Sequence, residues 1–279
     1  MMKNLSVCVP AYNSGRTLET TLRSILDQDT DIEVIVLDNA STDDTGAIAK
    51  SIDDPRVRVH RNQETLPIGE NWNKAVSLTS GRFVKVVCAD DILLPGALAK
   101  QLDIMGDNGI AICSSKFQVI DEHGKVEETD LGLPNLLGRR DARALMRTIV
   151  HRGPADFGPT AAAIFRRQDF DRVGGFRGDL VFPMDVDLFA RVCAFGDFYG
   201  MADILAAWRN SSFNLCSQTS TVSKLTEMLR FHHRLGSEYP EYVGRGAVLG
   251  GDWRLARAAA ERFRVRTVAT ALRRPDLLH

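Results

Sequence analysis

The chain has 279 residues, a net charge of −1 at pH 7, 44% hydrophobic and 25% charged residues. That length suits one large α/β domain or one domain with a small appendage, and the charge lacks the basic excess of nucleic-acid binders. Cys8, Cys88, Cys113, Cys193 and Cys216 stand singly with no CxxC pair, which argues against a disulfide framework or cysteine zinc site and for reduced thiols in a cytoplasmic protein.

The start, Met1 to Asn4, leads directly into a strand-like run, so no signal peptide is expected. No apolar stretch approaches the ~20 residues that cross a bilayer, and the protein is expected to be soluble or at most peripheral.

Leu5–Val9, ended by Pro10, reads as a buried parallel strand. Thr17–Leu26 carries Leu18, Leu22, Ile25 and Leu26 at helical spacing. Ile32–Leu37 is the second strand, stopped by Asp38-Asn39, and Ser41 to Asp44 supply capping residues for a helix through Ala47–Ala49. Val57–Val59 is a third strand, Asn71–Ser80 a helix ended by Gly81, and Phe83–Val87 the fourth strand. Such alternation with short connections predicts a doubly wound, mainly parallel sheet.

A helix follows Pro95 as far as Met105, and Ile110–Ile120 alternates like an exposed strand. Gly132–Gly138 reads as a loop of the kind that forms functional lids. Ala161–Phe165 is strand-like, Asp187–Ala194 helical, Phe198–Trp208 a late strand, and the chain from Thr221 onward is helical.

The most informative feature is Cys88-Ala89-Asp90-Asp91 at the end of the fourth apolar run. Open α/β sheets bind ligands at the carboxyl ends of their strands. Two carboxylates placed there repel unless something positive lies beside them, and a divalent cation carrying a phosphate does this well. The plain alternative is that Asp90 caps the next helix and Asp91 is solvated. The ends of the first, second and fourth strands share one edge in a parallel sheet, which gathers Val9 to Asn13, Val36 to Asp43 and Asp90-Asp91. The approach of Gly174-Gly175-Phe176 and Met184 to Asp187 is a further expectation.

In order and spacing the chain resembles a family 2 glycosyltransferase of the GT-A fold over roughly residues 4 to 210. The matching landmarks are Val-Pro-Ala-Tyr-Asn, Leu-Asp-Asn-Ala-Ser-Thr-Asp-Asp-Thr, Asn73 before Gly81, Ala-Asp-Asp with Pro95 after it, and Arg172-Val-Gly-Gly-Phe leading to Asp185-Val-Asp-Leu-Phe-Ala-Arg191. The resemblance implies a Rossmann-like catalytic domain over 1–215, with a nucleotide-sugar half over about 1–105 and an acceptor half over about 106–215. A helical C-terminal extension covers 216–279.

It further implies an inverting transfer of a sugar from a nucleotide-sugar, with UDP- and dTDP-sugars preferred, to a hydroxyl of a glycan, a lipid-linked acceptor or a small molecule. Asp38 would bond the nucleotide base, and Pro10, Ala11, Tyr12 and Asn13 would line the nucleoside pocket with Asn73 and Asp90. Asp90 and Asp91 would hold Mg²⁺ or Mn²⁺ on the diphosphate, and Asp185 would be the catalytic base. A single displacement requires no protein nucleophile, consistent with the lack of an evident Ser-His-Asp or Cys-His arrangement.

Three positions depart from the family's pattern. Cys88 stands where an Asp is common, Met184 where an acid often precedes the base, and Ser211 where a metal-binding His often follows the last sheet strand. They leave open a degenerate member that binds nucleotide-sugar or a protein partner without turnover. A dinucleotide oxidoreductase is disfavoured because the turn after the first strand holds one glycine, Gly15, instead of a Gly-x-Gly-x-x-Gly motif.

Arg166, Arg167, Arg191 and Arg209 read as surface or ion-paired residues, and any of them as a diphosphate ligand is the minor reading. His232-His233 reads as solvated, because neighbours on a helix point to different sides. Trp72 reads as packing on the sheet. From Trp253 to Arg274 seven arginines face one acid, Glu261. This tail is either a packed helix with a basic outer face or an amphipathic helix resting on an anionic membrane.

Overall fold

The computed structural model describes residues 4–153, 157–211 and 219–271, with side chains described as far as Glu261. In chain order the first half comprises β1 (Leu5–Ala11), α1 (Leu18–Leu26), β2 (Ile32–Asp38), α2 (Thr45–Ser51), β3 (Val57–Arg61), α3 (Ile68–Ser77), β4 (Phe83–Val86), β5 (Ile92–Leu93) and α4 (Ala97–Met105). There follow β6 (Ile110–Ile120), β7 (Val126–Leu131), β8 (Gly138–Arg140), α5 (Ala142–Arg152), β9 (Ala163–Arg166), α6 (Arg167–Arg172), α7 (Met184–Cys193) and β10 (Asp197–Arg209). The C-terminal pair is α8 (Thr221–Glu238) and α9 (Gly244–Ala271).

One mixed sheet runs in the order β3-β2-β1-β4-β9-β6-β10-β5, with β7 beside β6 and β8 beside β10. The first four strands are parallel, as are β6 and β10. β9 lies antiparallel to both β4 and β6 and joins the halves. Every residue of β1 and β2 is buried, because helices cover both faces. Successive β1 side chains serve opposite layers. Val7 and Val9 pack with Leu22 and Ile25 of α1, while Cys8 packs with Ala75 and Val76 of α3.

The doubly wound, mainly parallel expectation therefore holds, with an antiparallel joint. β6 is an interior strand, not an exposed one: its Ser114 and Ser115 are buried among Ile112, Cys113 and Phe117. The stretch from Gly132 to Gly138 is no free lid, since Leu133 and Leu136 are anchored in the core. α5 went unread although Ala142, Leu145, Met146, Ile149 and Val150 mark a buried helical face and Asp141 caps the amide of Ala144 at 2.7 Å. α8 and the start of α9 join the same core through Met228, Phe231, Leu235, Val243 and Val248.

Candidate active site

At the carboxyl edge, the loops after β1 and β2 are laced together. The Asn13 amide donates to Ser41 Oγ at 3.0 Å, and the Thr42 amide donates to Asn13 Oδ1 at 2.9 Å. The Ser14 amide donates to Thr45 Oγ1 at 2.7 Å, and the Gly15 amide to Asp43 Oδ2 at 3.0 Å. Asn13 and Ala40 both hold positive φ, 48° and 57°, a conformation these cross-bonds enforce. The result is a stiff shelf made of Pro10, Ala11, Tyr12 and Asn13, with the Tyr12 side chain 51% exposed above it.

Asp38 sits under this shelf. It is fully buried, with Oδ1 accepting from the Ser41 amide at 2.9 Å and Oδ2 ion-paired with Arg61. Arg61 also donates to the Ser41 carbonyl at 2.8 Å. Both carboxylate oxygens are engaged, so the geometry gives Asp38 the position of a loop anchor where the sequence suggested base contact.

After β4 the chain turns through Cys88-Ala89-Asp90-Asp91, closed by the Asp91 amide donating to the Cys88 carbonyl at 3.0 Å. α1 supports this turn from below. Thr17 Oγ1 donates to the Ala89 carbonyl and Thr21 Oγ1 to the Asp91 carbonyl, each at 2.8 Å. From the end of β10, the Arg209 amide donates to Asp91 Oδ1 at 3.2 Å and its Nε to the Asp90 carbonyl at 2.9 Å. Burial pushes the Asp90 carboxyl above its ordinary range, an effect Arg209 partly offsets. Asp91, 1% exposed, is pushed well up by burial and by the Asp90 charge together.

One ligand atom from each of Cys88, Asp90 and Asp91 lies within 4.8 Å of the other two. Two crowded carboxyls whose charged forms are disfavoured, beside a thiol, make a donor set that fits a divalent cation.

Asp185 lies in the first turn of α7, partly exposed, with Oδ1 accepting its neighbour Val186's amide at 2.8 Å. Burial raises its carboxyl to about 6. Its location toward the sheet's carboxyl edge follows from a close backbone approach. α3 begins at that edge after β3, and a methyl on Gly69 would stand 2.5 Å from Gly178 Cα and 3.6 Å from Met184 Sδ. The segment entering α7 therefore lies against the start of α3.

Asn73 is not turned to the shelf. Its Oδ1 accepts the Phe176 amide at 2.7 Å and its Nδ2 donates to the Phe176 carbonyl at 2.9 Å, clamping the Gly174-Gly175-Phe176 loop across 103 positions. Trp72 packs edge-on against Phe176 with centroids 5.2 Å apart, at the margin of the core under the sheet.

Asp187 pairs with buried Arg191 at 2.7 Å, and Asp179 pairs with Arg234. Arg166 pairs with Asp169, and Arg167 with Asp171. Of Arg166, Arg167, Arg191 and Arg209, it is Arg209 that reaches the acidic turn, through its own amide and Nε. Of the histidine pair, His233 is exposed as expected but His232 is buried, and the two bond the two oxygens of Asp252 at 2.9 Å each. Ser211 is described but Cys216 lies outside the described residues, as do the side chains of the arginines beyond Glu261.

The sequence profile of glycosyl transferase family 2 matches residues 6–174, which takes in the shelf, the acidic turn and the Asn73-clamped loop's first glycine. The chain belongs to glycosyl transferase family 2. It is 40% identical over 103 residues, 35% of its length and 33% of the relative's, to GalNAc(5)-diNAcBac-PP-undecaprenol beta-1,3-glucosyltransferase of Campylobacter jejuni. The chain spans 61% and 33% of the lengths of the first two curated relatives it matches.

Among solved structures it superposes on S. aureus TarS 1-349 in complex with UDP-GlcNAc at TM-score 0.64 and 17% identity, covering 99% of this chain and 89% of that one. It superposes on mannosyltransferase PcManGT from Pyrobaculum calidifontis in complex with GDP-Man and Mn²⁺ at TM-score 0.61 and 18% identity, covering 98% and 81%. The family 2 chain thus has the GT-A arrangement, a mixed, mostly parallel sheet flanked by helices. No helix among its described residues is long and apolar enough to cross a membrane.

Proposed function

We propose that this chain transfers a sugar, with inversion, from a UDP- or dTDP-sugar to an acceptor hydroxyl, with Asp185 as the base. What supports the reading is a carboxyl raised to about 6 at the start of α7, where the entering segment packs against the start of α3, together with the acidic turn after β4. The acceptor oxygen bonds to the anomeric carbon as the bond from that carbon to the diphosphate breaks. The hydroxyl proton passes to Asp185, and the electron pair leaves with the diphosphate. A carboxyl with a pKa near 6 is ionised at neutral pH yet basic enough to accept that proton.

Pro10, Ala11, Tyr12 and Asn13 hold the nucleoside, with exposed Tyr12 flanking the base, and Asp38 acts through Arg61 and the 39–45 loop that it positions. Asp90 and Asp91 would hold Mg²⁺ or Mn²⁺, and such a cation would neutralise the charge that develops on the diphosphate leaving group. The nucleotide-sugars bound by TarS and PcManGT support the donor class.

The acceptor proposed is lipid-linked, as the name of the Campylobacter relative states for that enzyme. α9 supports it with an outward row at four-residue spacing: Arg245, Leu249, Trp253 and Arg257. Leu249 is 67% and Trp253 73% exposed, and the sequence beyond continues through Arg262, Arg264 and Arg266. An apolar pair framed by arginines suits the headgroup region of an anionic bilayer. Leu255 packs against the core from the inner side of this helix.

The deciding assay measures nucleoside diphosphate release from UDP- and dTDP-sugars with lipid-linked and soluble acceptors. Asp185→Asn is expected to reduce release by about 10²-fold or more. Equal activity in variant and parent removes Asp185 from the role of base.

A further inference from the structure

Resting on the donor-site reading above, we propose that Cys88 is itself a ligand of the cation, so that this site selects thiophilic divalent ions over Mg²⁺. Its position is built rather than incidental. Cys88 directly follows Val87 at the sheet edge, its carbonyl is held by the Asp91 amide at 3.0 Å, and the next two carbonyl anchors come from Thr17 and Thr21 of α1. The turn therefore presents the thiol and both carboxyls as one unit, with ligand atoms within 4.8 Å of each other. Donors about 2.0–2.3 Å from one cation lie at most ~4.5 Å apart, so the three atoms already stand near the separation a shared cation sets.

The other described cysteines lack this setting. Cys8 donates to the Lys85 carbonyl, Cys113 lies against Met201 and Cys193 donates to the Gly196 carbonyl, all buried. Burial drives the Cys8 and Cys113 thiols up to about 12, so they stay protonated. Cys88 is half-buried beside two acids.

A thiolate carries the same charge as a carboxylate ligand but is a softer donor. Mg²⁺ prefers oxygen donors in a strict octahedron and gains little from sulfur. Zn²⁺, Cd²⁺ and Co²⁺ bind sulfur well, and Mn²⁺ tolerates it. On binding, the thiol proton passes to buffer as the metal–sulfur bond forms, so no oxidant or reductant is required.

The test titrates the full chain with Cd²⁺ and with Co²⁺, with and without UDP, and follows sulfur-to-metal charge-transfer absorption in the near ultraviolet. A band of one thiolate per site is expected in the parent and is lost in Cys88→Ser, a near-isosteric change. Cys88→Asp is expected to lose the band while shifting the Cd²⁺:Mg²⁺ affinity ratio toward Mg²⁺ by about tenfold or more.

No band, or a band that survives in Cys88→Ser, overturns the proposal. Calorimetry of UDP binding with Mg²⁺ separates the two readings. If UDP binds parent and Cys88→Asp alike and the metal ranking does not change, the Cys88 assignment alone falls. If UDP binds neither protein with any cation, the donor-site reading falls with it.

Discussion

The Arg209 amide donates to the Asp91 carboxylate at 3.2 Å while its Nε donates to the Asp90 carbonyl at 2.9 Å, so one residue of β10 fixes both members of the acidic turn. Its Nη1 also donates to the carbonyls of Asp121 and Glu122, at 3.0 and 3.1 Å. The guanidinium thus ties the end of β4 to the β6–β7 turn. Arg209→Met keeps the amide bond and leaves three carbonyls without that donor. It should destabilise the fold by about 2–4 kcal/mol. It should also shrink the melting-temperature rise produced by UDP with Mn²⁺. A variant that melts like the parent and responds fully to ligand shows that the turn needs no such tie.

Asp185 has a folded pKa of about 6, above that of an ordinary aspartate. The sign follows directly. A raised carboxyl pKa adds stability that is fully present below the unfolded value and is lost as pH rises through about 6. Asp185→Asn should therefore melt higher than the parent at pH 7 by about 1–2 kcal/mol, after discounting for its partial exposure. That gain should vanish near pH 4. The same ionisation makes kcat/KM of the parent rise through pH 6. A parent profile flat from pH 5 to 7 argues against Asp185 as the titrating base.

Lys85 is fully buried in β4, with Nζ donating to Gln101 Oε1 at 2.8 Å and to the Ala163 carbonyl at 3.2 Å. Burial lowers its ammonium pKa from 10.5 to about 7. The unfolded chain binds that proton more tightly, so folding stability climbs as pH rises from about 7 toward 10.5. Lys85→Met should flatten this slope in chemical denaturation measured from pH 7 to 10. A slope unchanged by the substitution means that the lysine is charged in the fold.

Asn73 gives both halves of its amide to Phe176. Asn73→Ala should cost about 2 kcal/mol by unpairing two backbone groups, yet leave UDP affinity within about twofold. A tenfold loss of UDP affinity with normal melting would restore the direct nucleotide contact read from sequence.

Leu249 and Trp253 stand outward on α9 beside Arg245 and Arg257. The double variant Leu249→Ser with Trp253→Ser should fold normally and lose co-sedimentation with vesicles rich in anionic lipid. Tryptophan quenching by brominated lipid should fall with it. Equal sedimentation of parent and variant discards the membrane face, and loss of self-association in the variant assigns this face to a second copy of the chain.

Much of the architecture was readable because local composition and burial agreed. Leu5–Ala11 and Ile32–Asp38 are uninterrupted apolar runs, since a parallel strand covered on both faces needs no polar side. β6 reads along the sequence as an exposed strand, whereas β9 and β10 enclose it and bury Ser114 and Ser115. His232 and His233 diverge on their helix, as spacing requires, but Asp252 of α9 lies between them and offers one oxygen to each.

Linear sequence alone determined the strand–helix alternation, the edge that gathers the strands' carboxyl ends and the presence of acids there. These depend on period, on chain-breaking residues and on the order of strand ends, all of which are local. Only the tertiary structure decided that Asp38 and Asn73 are fully engaged, that Arg209 holds the acidic turn and that Cys88 shares its space with two carboxyls. Those facts depend on which distant backbone passes within about 3 Å of a side chain, a separation set by packing rather than by neighbours in the chain.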